Sequence, residues 1–256
     1  VLLTILGCSG SVPGPTGPAS GYLVEADGYR LAMDLGNGTL STLSALFDPF
    51  LLDAALISHL HPDHCADLSG LSVLRRYHPD PPADRRGRAL PLHAPGQAPS
   101  RLAAALASST EELAVTDLSD VFQFNPLGSG PATVGPFEVT AVPVAHPCEA
   151  YGFRIARDGV VLAYTGDTGP CDALQELADG ADLLLAEASW THDADRPPGV
   201  HLSGTQAGEL AARAGVGRLL LTHVAPWTDP EAVLREARTA YSGPVDLAEH
   251  RAAYRL

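Results

Sequence analysis

The sequence predicts an α/β fold of two mixed sheets packed together, with helices outside. Two observations carry this reading. Closely spaced strand-like runs open the chain as a meander does. Later strands alternate with helices, the pattern of layered α/β domains. A third observation sets the number of domains. The 256 residues show no sharp composition break and no internal repeat, and they fit one large domain over residues 1–256.

The elements follow in order. "LLTIL", "GYLVEA" and "YRLAMDL" read as strands, "TLSTLSALF" as a helix and "AALIS" as a strand. "ADLSGLSVLRRY" has Leu68, Leu71 and Leu74 at helical spacing. Residues 79–91 read as a Pro/Arg loop, and "SRLAAALASS" as a helix. "FEVTAVPVAH", "GFRIAR" and "VVLAYTGD" are consecutive strands, followed by helix "CDALQELADG" and strand "DLLLAEA". Ser203 and Gln206 fit a capping box that starts helix "GTQAGELAARAG", which stops at glycine. Strand "RLLLTH" leads to helix "DPEAVLREARTAY", with Asp229 as cap and Pro230 in its first turn. Strand "PVDLAE" is expected to close the chain.

Composition narrows the function classes. The residues are 45% hydrophobic and 18% charged, and no apolar run approaches the roughly 20 residues that cross a membrane. The opening "VLLTILGCSG" lacks a basic flank and reads as a strand, not a signal peptide, so a cytoplasmic location is expected. The formal net charge is −14, and all 16 basic residues are arginine. Such a chain is a poor match for a large nucleic-acid footprint, which needs many cationic contacts. A small anionic substrate held by metal ions remains compatible. Cys8, Cys65, Cys148 and Cys171 are far apart and form no CxxC pair, so reduced thiols acting as small buried hydrophobes are expected.

The chemistry concentrates in "ISHLHPDHCADLSG". His59 and His61 stand two apart at a predicted strand end, where period two sends both rings to one face. Pro62 stiffens the exit, and Asp63 and His64 turn back toward the same space. Neutral imidazoles and carboxylates are ligands of zinc and other borderline divalent ions. His146, Asp167, His201 and His223 each end or follow an apolar stretch, where a sheet delivers ligands to one edge. Taken singly, each of these four is as much a core or surface residue as a ligand, whereas three histidines and an aspartate within six positions point to a metal.

H-x-H-x-D-H, a histidine after a strand, "GDT" and a late "TH" together resemble the metallo-β-lactamase fold superfamily. "HLHPDHCADLSGL" and "HLSGTQAGELAARAGVGRLLLTHVAPW" are similar to the branch of tRNase Z and its phosphodiesterase relatives. "LGCSGSV", "PASGYL", "RRYHP" and "EASWTH" resemble bacterial atypical class II cyclic-nucleotide phosphodiesterases. The resemblance implies an αβ/βα four-layer sandwich and two divalent metal ions, zinc by first choice, with manganese or iron as the other options. It implies that His59, His61 and His146 hold one ion and Asp63, His64 and His223 the other. Asp167 would bridge them with a hydroxide that attacks phosphorus. His201 would contact the phosphate and donate a proton to the leaving oxygen, a role suited to histidine. Glu187 is expected to orient His201, and Asp67 to be a supporting carboxylate or a helix cap. The catalytic set is thus Asp63, His201 and Glu187. The resemblance further implies a homodimer.

The expected substrate is a cyclic nucleotide, cyclic AMP first, with its base near Trp227 or Tyr77. The alternative is a tRNA 3′-processing endoribonuclease. That enzyme carries a long arm between the third-motif histidine and the GD aspartate, whereas His146 and Asp167 are only 21 positions apart, filled by two strands. A β-lactamase fits less well, since Asp167 stands where many of those enzymes have cysteine. A non-catalytic binding module would be expected to lose ligands, and here they are all present. Two further segments are open. The 7–21 Gly/Ser/Pro loop either lines the pocket with backbone N–H groups or is plain surface. Arg75, Arg76, Arg85, Arg86 and Arg88 either steer an anion or form a solvated loop. His78, His192 and His250 are read as outside the ligand set, and His93 is left open.

Overall fold

The structure is a computed structural model that describes residues 1–128 and 130–256. In chain order the strands are β1 (Leu2–Gly7), β2 (Gly21–Ala26), β3 (Tyr29–Leu35), β4 (Ala54–Leu56), β5 (Leu90–Ala94), β6 (Phe122–Pro126) and β7 (Gly130–Val134). They continue with β8 (Phe137–Pro143), β9 (Tyr151–Arg157), β10 (Val160–Tyr164), β11 (Leu183–Glu187), β12 (Leu219–Thr222), β13 (Val245–Leu247) and β14 (Ala253–Arg255). The helices are α1 (Thr39–Leu46), α2 (Pro62–Cys65), α3 (Asp67–Tyr77), α4 (Ala98–Leu106), α5 (Thr110–Leu113), α6 (Ala173–Ala178), α7 (Gly204–Ala214) and α8 (Pro230–Ala240).

The strands form two seven-stranded mixed sheets, in the orders β14-β1-β2-β3-β4-β5-β6 and β13-β12-β11-β10-β9-β8-β7. In the first, β14, β1, β2 and β3 pair antiparallel, and β3 to β6 pair parallel. In the second, β7 to β10 pair antiparallel, and β10 to β13 parallel. Between the sheets lies an apolar layer that includes Leu3, Met33, Phe153 and Leu220. Leu43, Leu68, Leu71 and Leu102 from α1, α3 and α4 cover the outer face of the first sheet. Leu177, Leu210 and Val233 from α6, α7 and α8 cover the second. This is the four-layer αβ/βα sandwich. Each fully buried leucine or phenylalanine contributes about 1.5–3 kcal/mol to holding the layers together.

The capping chemistry read from sequence is present. Ser203 Oγ accepts from Gln206 N while Ser203 N donates to Gln206 Oε1, and Gly215 ends α7 in the left-handed region. Asp229 caps α8 with Pro230 at its start.

Several elements differ from the sequence reading. The chain does not close on "PVDLAE": β14 follows it and pairs with the edge of β1. Residues 90–94 form β5, so the Pro/Arg loop ends at Ala89. β6 and β7 had no counterpart in that reading. Strand β4 ends at Leu56, so His59 and His61 lie beyond it, and the turn into α2, not strand period, brings their rings together. Asp67 begins α3, but its Oδ2 accepts from Leu40 N at 2.7 Å, so it satisfies a free N–H of α1 instead. Cys65 is buried and Cys8 half-buried, whereas Cys148 is exposed, against the expectation of burial; all four are free thiols. Burial pushes the Cys8 and Cys65 thiols up to about 11, which keeps them protonated and inert. Among the described residues no helix is long and apolar enough to cross a membrane.

Candidate metal centre and active site

The site sits where strands of both sheets end, the usual place for a ligand in open α/β sheets. The first sheet supplies Asp34 from β3 and the turn 58–64 after β4. The second supplies His146 after β8, Asp167 after β10, Glu187 at the end of β11 and His223 after β12. His201 comes from the loop before α7. All seven candidate ligands are brought together, in two groups.

The first group is His59, His61 and His146. His59 Nε2 lies 3.0 Å from His61 Nδ1, and His146 Nε2 lies 3.2 Å from the same atom. The second group is Asp63, His64, Asp167 and His223. His223 Nε2 lies 3.1 Å from Asp63 Oδ2 and 3.3 Å from Asp167 Oδ2, and His64 Nε2 lies 3.2 Å from Asp167 Oδ1. Asp167 Oδ2 is also 3.8 Å from His59 Nε2, which places this carboxylate between the groups.

These separations resemble the edges of a coordination polyhedron: ligands about 2.0–2.1 Å from a tetrahedral zinc stand about 3.3–3.4 Å apart. Two buried atoms point the same way. His64 Nε2 and Asp167 Oδ1 have no hydrogen-bond partner, an expensive state that a cation would relieve. The residues therefore fit two divalent ions, and the donor set of imidazole and carboxylate suits zinc.

The protonation states divide: burial opposes charge on His64, but Asp167 and Asp34 outweigh it and raise this imidazole well above its usual value. Burial disfavours charge on His59 and His146 and lowers both, leaving neutral imidazoles. Burial opposes ionisation of Asp63 and Asp167 too, but His223 and His64 outweigh it and hold both carboxyls well below the usual carboxylate range.

Behind the ligands lie two supports that the sequence reading missed. Asp34 is fully buried on β3 with a left-handed φ of 56°. Its Oδ2 lies 2.8 Å from His64 Nδ1 and accepts from Ser58 Oγ and Tyr164 Oη. Ser58 Oγ in turn is 3.1 Å from His59 Nδ1. Ser189 plays the matching part in the second sheet: its Oγ is 2.8 Å from His223 Nδ1 and donates to Glu187 Oε2. His146 Nδ1 faces Val200 O at 3.0 Å. His59, His64, His146 and His223 thus turn Nε2 toward the centre and Nδ1 to a support, whereas His61 faces the centre with Nδ1. The available signal was a lone aspartate inside the apolar strand "LAMDL", because a buried charge needs partners.

Glu187 is fully buried, and its carboxylate lies close enough to His201 and His223 for the three to form a further group able to hold an ion. It accepts from Thr168 N at 2.6 Å and from Ser189, and its Oε1 lies 3.0 Å from His201 Nδ1. Burial opposes charge on His201, but the Glu187 carboxylate overcomes it and raises the imidazole to about 9.

The other segments resolve as follows. The 7–21 loop packs on the site: Gly10 N donates to Val224 O, and Ser11 N approaches His223 Nε2 at 3.4 Å. Gly36 approaches so closely that a Cβ there would meet Asp63 O at 1.8 Å. The arginine cluster is largely neutralised. Arg76 pairs with Asp120, Arg85 with Asp53 and Arg86 with Asp80, while Arg75 donates to Arg88 O. His192 bonds Ser203 Oγ and His250 bonds Thr42 Oγ1, both apart from the ligand groups. His93 sits on β5 and is outside them as well.

The fold and this centre define a metallo-hydrolase of the β-lactamase fold. The chain belongs to the β-lactamase superfamily: the model of the "Beta-lactamase superfamily domain" matches residues 39–224. The chain is 50% identical over 248 residues to the uncharacterized protein Rv1339 of Mycobacterium tuberculosis, covering 96% of this chain and 88% of that protein. It is 29% identical over 247 residues to YhfI of Bacillus subtilis, a probable metallo-hydrolase, covering 96% of both. The crystal structure of YhfI superposes with a TM-score of 0.86 over 99% of this chain and 98% of that one. The short form of human tRNase Z shares the fold, with a TM-score of 0.73 at 22% identity over 100% of this chain and 99% of that one.

Proposed function

We propose that this protein is a dinuclear metal-dependent phosphodiesterase that opens a cyclic nucleotide, cyclic AMP foremost, in the cytoplasm. One observation carries the reading: two groups of ligands meet where Asp167 of the second lies 3.8 Å from His59 of the first, with His201 backed by Glu187 beside them. Two divalent ions, zinc by ligand chemistry, supply an activated water and neutralise the phosphoryl oxygens when bound. His59, His61 and His146 would hold one ion and Asp63, His64, Asp167 and His223 the other.

The chain's own residues do the rest. His201 turns Nδ1 to Glu187 and keeps a proton at Nε2 for the leaving ribose oxygen. Glu187 fixes that tautomer and favours the protonated form. Asp34, Ser58 and Ser189 hold the ligand rings in one orientation.

The tRNA-processing reading has less support. The β9–β10 hairpin fills the segment between His146 and Asp167 where that enzyme's arm would stand. Three of the five arginines in the cluster, the natural place to grip RNA, pair with aspartates. The test is metal-loaded enzyme against cyclic AMP and a 3′-extended tRNA, in wild type and with Arg85, Arg86 and Arg88 changed to Ala. Conversion of cyclic AMP to the monophosphate without useful tRNA cleavage is expected. Efficient tRNA cleavage that collapses in the triple variant, with no action on cyclic nucleotides, would replace this reading with the other.

A further inference from the structure

A cavity of about 390 Å³ opens beside His201, on the side away from the metal ligands. Its volume falls in the range of about 300–1,000 Å³ usual for small-molecule sites. Trp190, Arg196, Pro170, Pro198 and His201 form much of its wall. The indole of Trp190 stands edge-on to the His201 ring, with centroids 5.1 Å apart and an interplanar angle of 84°. The His201 ring is 5.3 Å from that of His223. The His201 ring thus neighbours both the centre and the indole.

The wall has the chemistry of a site for a flat heterocycle. The Arg196 guanidinium lies 5.3 Å from the Trp190 ring centroid. It makes no ion pair within 4.0 Å among the described residues, and its one polar contact is Nε to Thr191 O at 3.4 Å. This exposed side chain is therefore free to fold over a guest lying against the indole. Gln206 also lines the cavity. Its Oε1 is occupied by Ser203 N, which leaves its NH₂ as a donor for a ring acceptor. Trp227 and Tyr77, expected from sequence to lie near a base, are 72% and 68% exposed, and neither borders this cavity.

We propose that this cavity receives the base of the cyclic nucleotide, whose ribose oxygen leaves phosphorus while the nucleoside stays attached through its other ester bond, with Trp190 and Arg196 as the residues that select a nucleotide over a base-free phosphodiester. The assignment rests on the phosphodiesterase reading above. With the phosphoryl group at the metals and the ribose oxygen at His201, the nucleoside extends past His201 toward Trp190. Stacking on an indole accepts any base, because every base has a π-face. A guanidinium adds cation–π attraction. Purines, with the larger face, gain more than pyrimidines.

The experiment uses the fact that the chain has two tryptophans. In a Trp227→Phe protein, emission reports Trp190. Titration of the metal-loaded protein with adenosine is expected to give saturable quenching, weakened by Arg196→Ala. In parallel, the ratio of kcat/KM for cyclic AMP to that for base-free ribose 3′,5′-cyclic phosphate is measured. Trp190→Leu should shrink this ratio roughly 5- to 100-fold, the range set by loss of one stacked base, and Trp190→Phe should restore most of it. Saturable quenching by adenosine in a protein that does not hydrolyse cyclic AMP would end the phosphodiesterase reading but uphold the cavity. Hydrolysis of cyclic AMP with no saturable quenching and an unchanged ratio would overturn the cavity assignment alone.

Discussion

Asp34 Oδ2 lies 2.8 Å from His64 Nδ1, with both side chains fully buried. The contact fixes which nitrogen of His64 faces the centre. Asp34→Asn would set an amide against three donors that now point at one oxygen. We expect metal affinity to fall about 10- to 100-fold, the usual cost of losing such a support. Competition with a chromogenic chelator checks this; unchanged affinity would reduce Asp34 to a core residue.

Asp167→Ala removes the carboxylate between the two ligand groups. Metal content should drop below two ions per chain, and hydrolysis should be lost with it. Elemental analysis of the purified variant gives the count. A fully active wild type with a single tightly bound ion would sink the dinuclear centre.

His201→Ala should leave two ions bound, since His201 is assigned to the substrate. Turnover of cyclic AMP should fall by about 10²–10⁴-fold, the range for losing a general acid. The loss should be smaller for a nitrophenyl phosphodiester, whose leaving group needs little protonation. Equal losses on both substrates would refute proton donation.

Glu187→Gln tests the pH side of the same pair. Glu187 raises His201 to about 9, so the protonated form persists as pH rises toward that value. Without the carboxylate His201 loses its proton sooner, and the basic limb of kcat should move to lower pH. Metal content is followed alongside, because Glu187 also supports His223 through Ser189. A limb that stays in place would leave Glu187 a packing role only.

Much of the site was legible because its ligands stand close in sequence or at the ends of recognisable strands. His59 to His64 lie within six positions, and His146, Asp167 and His223 follow apolar runs that can only be strands. Asp34 was hidden because one polar residue in "LAMDL" does not disturb a strand pattern. Its role depends on Ser58, His64 and Tyr164, which are distant in sequence. Ser189 was hidden for the same reason. β14 escaped notice because three residues at a sheet edge carry no periodicity, and β5 because Pro91 suggested a loop. The arginine cluster stayed open between an anion-steering patch and a solvated loop, since its partners Asp53 and Asp120 are 32 and 44 residues from Arg85 and Arg76.

Each ligand group draws on both sheets. His59 and His61 come from the first and His146 from the second; Asp63 and His64 come from the first and Asp167 and His223 from the second. Two bound ions would therefore act as a pair of rivets through the seam of the sandwich. Ions that bind only the closed seam add stability by mass action, about 2.7 kcal/mol at a hundred times the dissociation constant. Stripping the ions would unfasten the two halves at the edge where the chemistry occurs. Metal supply would then govern how long the molecule survives as well as how fast it turns over.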